Sequence, residues 1–244
     1  MQLTSRQFRS LASDVDDLHN ENMKTFAEET ADLHLDSYKA SRRKFIAGSA
    51  GVVGAVAIGS TLLLPRGLTL GAAAAGLDDA TIAGYAQSIE LAVDVYGTAA
   101  GLLETAAIVS AATMFAGHHQ MHLDALNGVI TGAGADAVTE MNQAVFDAIV
   151  KPALDKAKTE ADAVMIALTL EEAAAQTYAF AGGALSTPAL RSTIMTIGGV
   201  EARHAAVLRM AALAQSPLDV FPEKRAFFPG DNPLAGIDGA LIGA

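Results

Sequence analysis

The sequence predicts an all-α protein: a four-helix bundle preceded by a separate apolar segment. Three observations lead there. From residue 77 to about 215, apolar residues recur at helical spacing and no strand alternation persists. Alanine is abundant and aromatics make up only 5% of the chain, so small side chains let helices approach closely. The links between the predicted helices are two short and one long, a pattern of two antiparallel hairpins joined by a crossover.

The elements follow in order. Residues 1–40 form an acidic, partly helical N-terminal extension. Thr4 or Ser5 can cap a helix there, and Phe8, Leu11, Val15 and Leu18 follow at helical spacing. Residues 41–76 read as a targeting segment. SRRKFI (Ser41 to Ile46) leads into a Gly/Ala-rich apolar run and then an A-x-A site at Ala72 and Ala74. Paired arginines, a moderately apolar run and a small-residue site resemble a twin-arginine export signal, which implies the export machinery as a partner. The competing reading is a retained membrane anchor at residues 46–64, about long enough to cross a bilayer but weakly apolar. Both place the bundle outside the cytoplasm, in the periplasm or on the outer face of the cell membrane.

The bundle is expected over 77–215. Its first helix spans 78–99, with Asp78 and Asp79 favourable at the N-terminus. The second spans 103–129, and TGAGAD (Thr131 to Asp136) is a loop. A shorter piece at 137–150 ends at Pro152, and the third helix spans 153–181. The fourth spans 187–215, capped by Thr187 with Pro188 in its first turn. The Met residues Met114, Met121, Met165, Met195 and Met210 are expected to fill the core. Residues 216–244 form an irregular Pro/Gly-rich tail.

Composition excludes several functions. The chain has 244 residues and no Cys, so it holds neither a disulfide framework nor a thiolate metal site. A formal charge of -11 leaves no basic stripe for nucleic acid. No P-loop, G-x-S-x-G or dinucleotide fingerprint occurs.

Of six histidines, only His118, His119, His122 and His204 follow the targeting segment. They fall in two motifs, HHQMH on the second helix and EARH (Glu201 to His204) on the fourth. Residues i and i+3 share a helix face, so His119 and His122 can aim at one spot, as can Glu201 and His204. The first and third helices each carry a carboxylate in an apolar stretch: Glu90, and Glu171 or Glu172. A buried carboxylate without a partner is costly, and a cation held by all four helices removes that cost. Di-iron and di-manganese bundles place one Glu on each of two helices and Glu-x-x-His on each of the other two. Here the second helix departs: His119 stands where that scheme has the Glu of its Glu-x-x-His. Asp94, at i+4 from Glu90, shares its face, whereas the six-residue spacing turns Tyr96 aside by roughly 120°. His118 is expected to back the ligands or to face solvent, and Glu104 and Glu172 to be solvated or capping.

Four ordered motifs now stand together: ELA…VxxY (Glu90 to Tyr96), FAxHHxxHxxAL (Phe115 to Leu126), LExxAAxTY (Leu170 to Tyr178) and VEARHAAVLR (Val200 to Arg209). The chain resembles the ferritin-like superfamily, and in particular the exported bacterial ferritin-like proteins with twin-arginine signals. The resemblance implies a ferritin-like bundle with a metal centre and an undefined activity. It favours Glu171 over Glu172, because a Glu seven residues before a Tyr (here Tyr178) is common in that family. The expected ligands are Glu90, His119, His122, Glu171, Glu201 and His204. Asp94, His118, Glu172 and Tyr178 are the neighbours able to support them.

A mixed nitrogen and oxygen set suits iron, one ion or two, with manganese, zinc or no metal as alternatives. The corresponding functions are a non-haem di-iron oxidase or ferroxidase, a redox-inert metal binder, and a metal-free envelope interaction module. A Pro-rich tail in place of a further helix argues against a storage cage, and the oligomeric state stays open.

Overall fold

A computed structural model describes residues 4–31, 79–132 and 136–213. The export segment expected at 41–76, its apolar run at 46–64 and the tail expected at 216–244 lie outside the described residues. The described chain is helical, without strands. Its elements are α1 (Ser5–Ala31), α2 (Asp79–Asp94), a 3-10 stretch (Val95–Leu102), α3 (Ala106–Gly132), α4 (Gln143–Val145), a π turn (Phe146–Val150), α5 (Lys151–Lys156), α6 (Glu160–Ala184) and α7 (Pro188–Leu213). Among the described residues no helix is long and apolar enough to cross a membrane.

Caps and glycines set the ends of these helices, and they shift several of the expected boundaries. α2 stops at Asp94 rather than 99. A 3-10 stretch holding Gly97 and Gly101, both poor helix formers, takes over. α3 starts at Ala106 rather than 103, because the Glu160 carboxylate accepts the Glu104 and Thr105 amides at 2.7 Å each. The piece expected from 137 begins only at Gln143, where the Asn142 side chain accepts from the Val145 amide at 3.2 Å.

Pro152 does not end that piece. It sits in the first turn of α5, directly after the π turn. The break comes at Ala157, and α6 starts at Glu160 rather than 153. A reciprocal cap fixes that start: the Asp162 amide donates to Thr159 Oγ1 at 3.2 Å and the Thr159 amide donates to Asp162 Oδ2 at 2.9 Å. α7 begins against α2, where Asp79 accepts the Ser186 and Thr187 amides at 2.8 Å each.

α6 and α7 form the most extensive pair, and α2 packs on both α3 and α6. Ile89, Phe115, Leu126, Leu170, Ile194 and Ile197 fill the centre, with buried alanines such as Ala86, Ala173 and Ala174 between them. Met210 is buried as expected, whereas Met165 and Met195 are 41% and 48% exposed. Met165 falls on the outward face of α6 with Thr169, Glu172 and Gln176, so helical register overrides its apolar character.

The N-terminal extension is not detached: α1 packs against α7 and α3. Thr4 and Gln7 cap it reciprocally, with the Gln7 amide on Thr4 Oγ1 at 3.3 Å and the Thr4 amide on Gln7 Oε1 at 3.0 Å. Its buried stripe is Phe8, Ala12, Val15 and His19. Leu18, expected in that stripe, is 42% exposed; the wheel is centred nearer Ala12 than Leu11 and puts His19 inside.

Candidate metal centre

The mid-helix polar residues of α2, α3, α6 and α7 meet at one buried place. Glu90, His119, His122, Glu171, Glu201 and His204 are each at most 1% exposed. His119 lies in the middle. Its Nδ1 is 3.0 Å from Glu90 Oε2 and its Nε2 is 3.1 Å from Glu171 Oε1. His122 Nδ1 is 2.9 Å from Glu201 Oε1 and 3.4 Å from Glu90 Oε1. His204 Nδ1 is 3.3 Å from Glu171 Oε1 and 3.6 Å from Glu201 Oε2.

These donors fall into two overlapping groups. Glu90, His119, His122 and Glu201 form one; His119, Glu171, Glu201 and His204 form the other. Within each group the candidate donor atoms lie within 4.8 Å of one another. Glu201 and His119 belong to both. A carboxylate can give one oxygen to each of two cations. A neutral imidazole has a single lone pair, so His119 can serve one cation at a time.

The donor set fits a cation. Both ring nitrogens of His122, both oxygens of Glu201 and Nδ1 of His204 are buried without a hydrogen bond of acceptable direction. Orphaned buried polar atoms cost about 1–3 kcal/mol each. Here they face one another within the two donor groups, an arrangement that a cation could satisfy.

Without metal, protons take the cation's place. Burial disfavours a charged His122, but Glu90 and Glu201 outweigh it and raise its pKa to about 9. His119 is also raised, well above the ordinary value, since Glu201 and Glu171 overcome its burial. His204 is raised in the same way, mainly by Glu171. Burial and the Glu201 carboxylate push Glu90 upward, yet His122 and His119 bring it below its usual range. Glu171 falls well below its usual range against its own burial, through His204 and His119.

The supporting neighbours differ in their parts. The Tyr178 hydroxyl donates to Glu90 Oε1. Burial and then the Glu90 charge hold that phenol well above its ordinary pKa, so it stays a donor. Glu172 belongs to neither donor group and pairs with Arg209 at the edge of α6. The side chains of Asp94 and Tyr96 lie outside what is described. His118 does not face solvent: it is 1% exposed, with Nδ1 2.9 Å from His204 Nε2 and Nε2 2.9 Å from Asp16 Oδ1. Phe115 stacks on His204 with ring centroids 4.0 Å apart.

Two residues at the site lie outside the bundle motifs. Asp16 and His19 both come from α1. His19 is fully buried and stacks on His118 at 3.8 Å, with its centroid 5.1 Å from that of His122. Its burial and the facing histidines, His118 first, lower its pKa to about 2. The available signal was His19 at i+4 from Val15, continuing an apolar stripe. Spacing within α1 does not show that this stripe covers α3 and α7, about a hundred residues or more further along the chain.

Against known proteins, neither the curated proteins nor the solved structures offer a significant match. A family model described as a ferritin-like domain matches residues 69–214. That span takes in all of α2 to α7 and every donor in both buried groups. The chain therefore belongs to the ferritin-like domain family.

Proposed function

We propose that this chain binds two adjacent metal ions between α2, α3, α6 and α7, arranged as a four-helix bundle, and that the ions are iron. The observation that carries the reading is Glu201, whose two oxygens face two different donor groups that share it. Nitrogen and oxygen donors in this proportion suit iron, which when bound supplies oxidation chemistry with oxygen or peroxide. The protein's own residues would hold and orient it. Glu90 is fixed by the Tyr178 hydroxyl, and the Phe115 ring covers His204. The reading is that of a non-haem oxidase or ferroxidase with an unassigned substrate.

The export reading of residues 41–76 belongs to the same proposal. α1 precedes that segment and the centre follows it. A chain with α1 seated on the centre has folded, and can have taken up metal, before any transport.

A second reading is a closed, redox-inert metal site. The complete burial of all six donors favours it, because structural sites are closed whereas catalytic ones keep an open position. Metal analysis of full-length protein from its native host separates these readings. About two iron atoms per chain support the first, by the two-metal scheme. Zinc in their place supports the second. Glu90→Gln and Glu171→Gln should each lose about one ion, and Glu201→Gln both, since Glu201 is the carboxylate that belongs to both groups. Wild-type protein without metal overturns both readings.

A further inference from the structure

The hydrogen-bonded line from α1 into the centre has a direction, and that direction follows from donor chemistry. Asp16 is partly exposed, with 42% of its side chain accessible, and as a carboxylate it only accepts. The His118 nitrogen beside it, Nε2 at 2.9 Å, must then carry a hydrogen. His118 is buried and faces the rings of His19 and His204, so its imidazole is neutral and its Nδ1 holds a lone pair. That lone pair lies 2.9 Å from His204 Nε2, which must therefore be the donor. The remaining nitrogen of His204, Nδ1, is left facing Glu171 and Glu201.

We propose that Asp16 of α1 is a positioning residue for the metal centre: through His118 it fixes which nitrogen of His204 is presented to the cation bound with Glu171. The inference rests on the metal reading above and deepens it. Metal-binding histidines are commonly held from behind by a carboxylate, which fixes tautomer and ring angle. Here the carboxylate acts one imidazole further back and comes from a helix outside the matched family span. His19 packs flat on His118 and restrains its ring plane from the same helix.

Two readouts on the full-length chain test this. The first needs no metal. In protein labelled with nitrogen-15 at its six histidines, wild-type His118 should show the Nε2–H tautomer. Asp16→Ala should lose it to a mixture, and Asp16→Asn, whose amide oxygen can still accept, should keep more of it. An unchanged His118 tautomer in Asp16→Ala overturns the inference while leaving the metal reading intact.

The second readout is Co(II) titration followed by visible absorption. Asp16→Ala and His118→Phe should weaken one of the two cations roughly ten- to a hundredfold and alter its bands, as loss of such outer partners does. The other cation should be unchanged. Asp17→Ala removes the adjacent, exposed carboxylate of α1 and leaves the line intact. Equal weakening by Asp17→Ala would assign the effect to net charge and overturn a positioning role. Absence of Co(II) uptake by wild-type protein overturns the metal reading and this inference with it.

Discussion

At the scale of single residues, the centre is a set of bases whose protons would compete with any bound cation. His122 has its pKa raised from 6.5 to about 9 by Glu90 and Glu201. A raised folded-state pKa stabilises the metal-free protein fully below about 6.5, and that contribution is lost as pH rises through about 9. Metal binding runs the other way, because His122 must give up its proton to become a ligand. Between pH 6.5 and 9 the metal-free Tm should fall while affinity for Zn(II) or Co(II) rises. Calorimetric scans and metal titrations at matched pH check this, and parallel trends would contradict it. His19 titrates in the opposite sense. Its folded-state pKa is lowered to about 2, so its contribution is present above about 6.5 and lost as pH falls. Both its nitrogens lack hydrogen-bond partners, and Leu there should remove the acid sensitivity. The His19→Leu protein is expected to melt at or above the wild-type temperature at pH 5. A lower Tm at both pH 5 and pH 7.5 would mean the imidazole is needed for packing.

At the scale of elements, the site depends on how closely helices approach. α6 and α7 come together at Gly198, one turn before Glu201. A Cβ built there would lie 2.7 Å from Tyr178 Cβ. Tyr178 in turn holds Glu90. Overpacking of this kind costs about 1–3 kcal/mol, offset by roughly 1 kcal/mol from the better helix propensity of Ala. Gly198→Ala should therefore lower Tm by a few degrees and weaken the cation bound with Glu90. Gly199, with nothing within 4 Å of its would-be Cβ, is the control and should tolerate Ala. A neutral Gly198→Ala would show that Tyr178 yields without cost. α1 is held by Phe8, Ala12 and Val15, and burial of a Phe or Val side chain is worth about 1.5–3 kcal/mol.

At the scale of the whole molecule, chain order constrains topology. If residues 46–64 cross a bilayer once, residues 1–40 and the domain end on opposite sides. α1 seated on α3 and α7 needs both on one side. On that condition the two arrangements would belong to different times, before and after the crossing. The chain has no Cys, so single replacements are clean reporters. Ser13→Cys on α1 and Ser110→Cys on α3 are both exposed. Before transport both should resist an impermeant maleimide applied to intact cells. After transport only Ser110→Cys should react. Simultaneous labelling of both from outside would rule out a single crossing by 46–64.

The all-helical class was set by local information: helical spacing after residue 77, abundant alanine and strong caps such as Thr159 with Asp162. The candidate donors were visible because polar residues in apolar helical stretches are costly, and i, i+3 pairs such as Glu201 and His204 share a face whatever the helix packs against. Boundaries were less legible. The cap that starts α3 comes from Glu160, far along the chain, and such a contact leaves no local trace. The same applies to α1. Its amphipathic stripe was readable, but not the surface it would cover. Only the tertiary structure decided that Glu201 faces both donor groups, that Tyr178 holds Glu90, and that Asp16 and His19 reach the centre. Those are contacts between distant segments, and sequence spacing fixes direction only within a helix, not which helices meet.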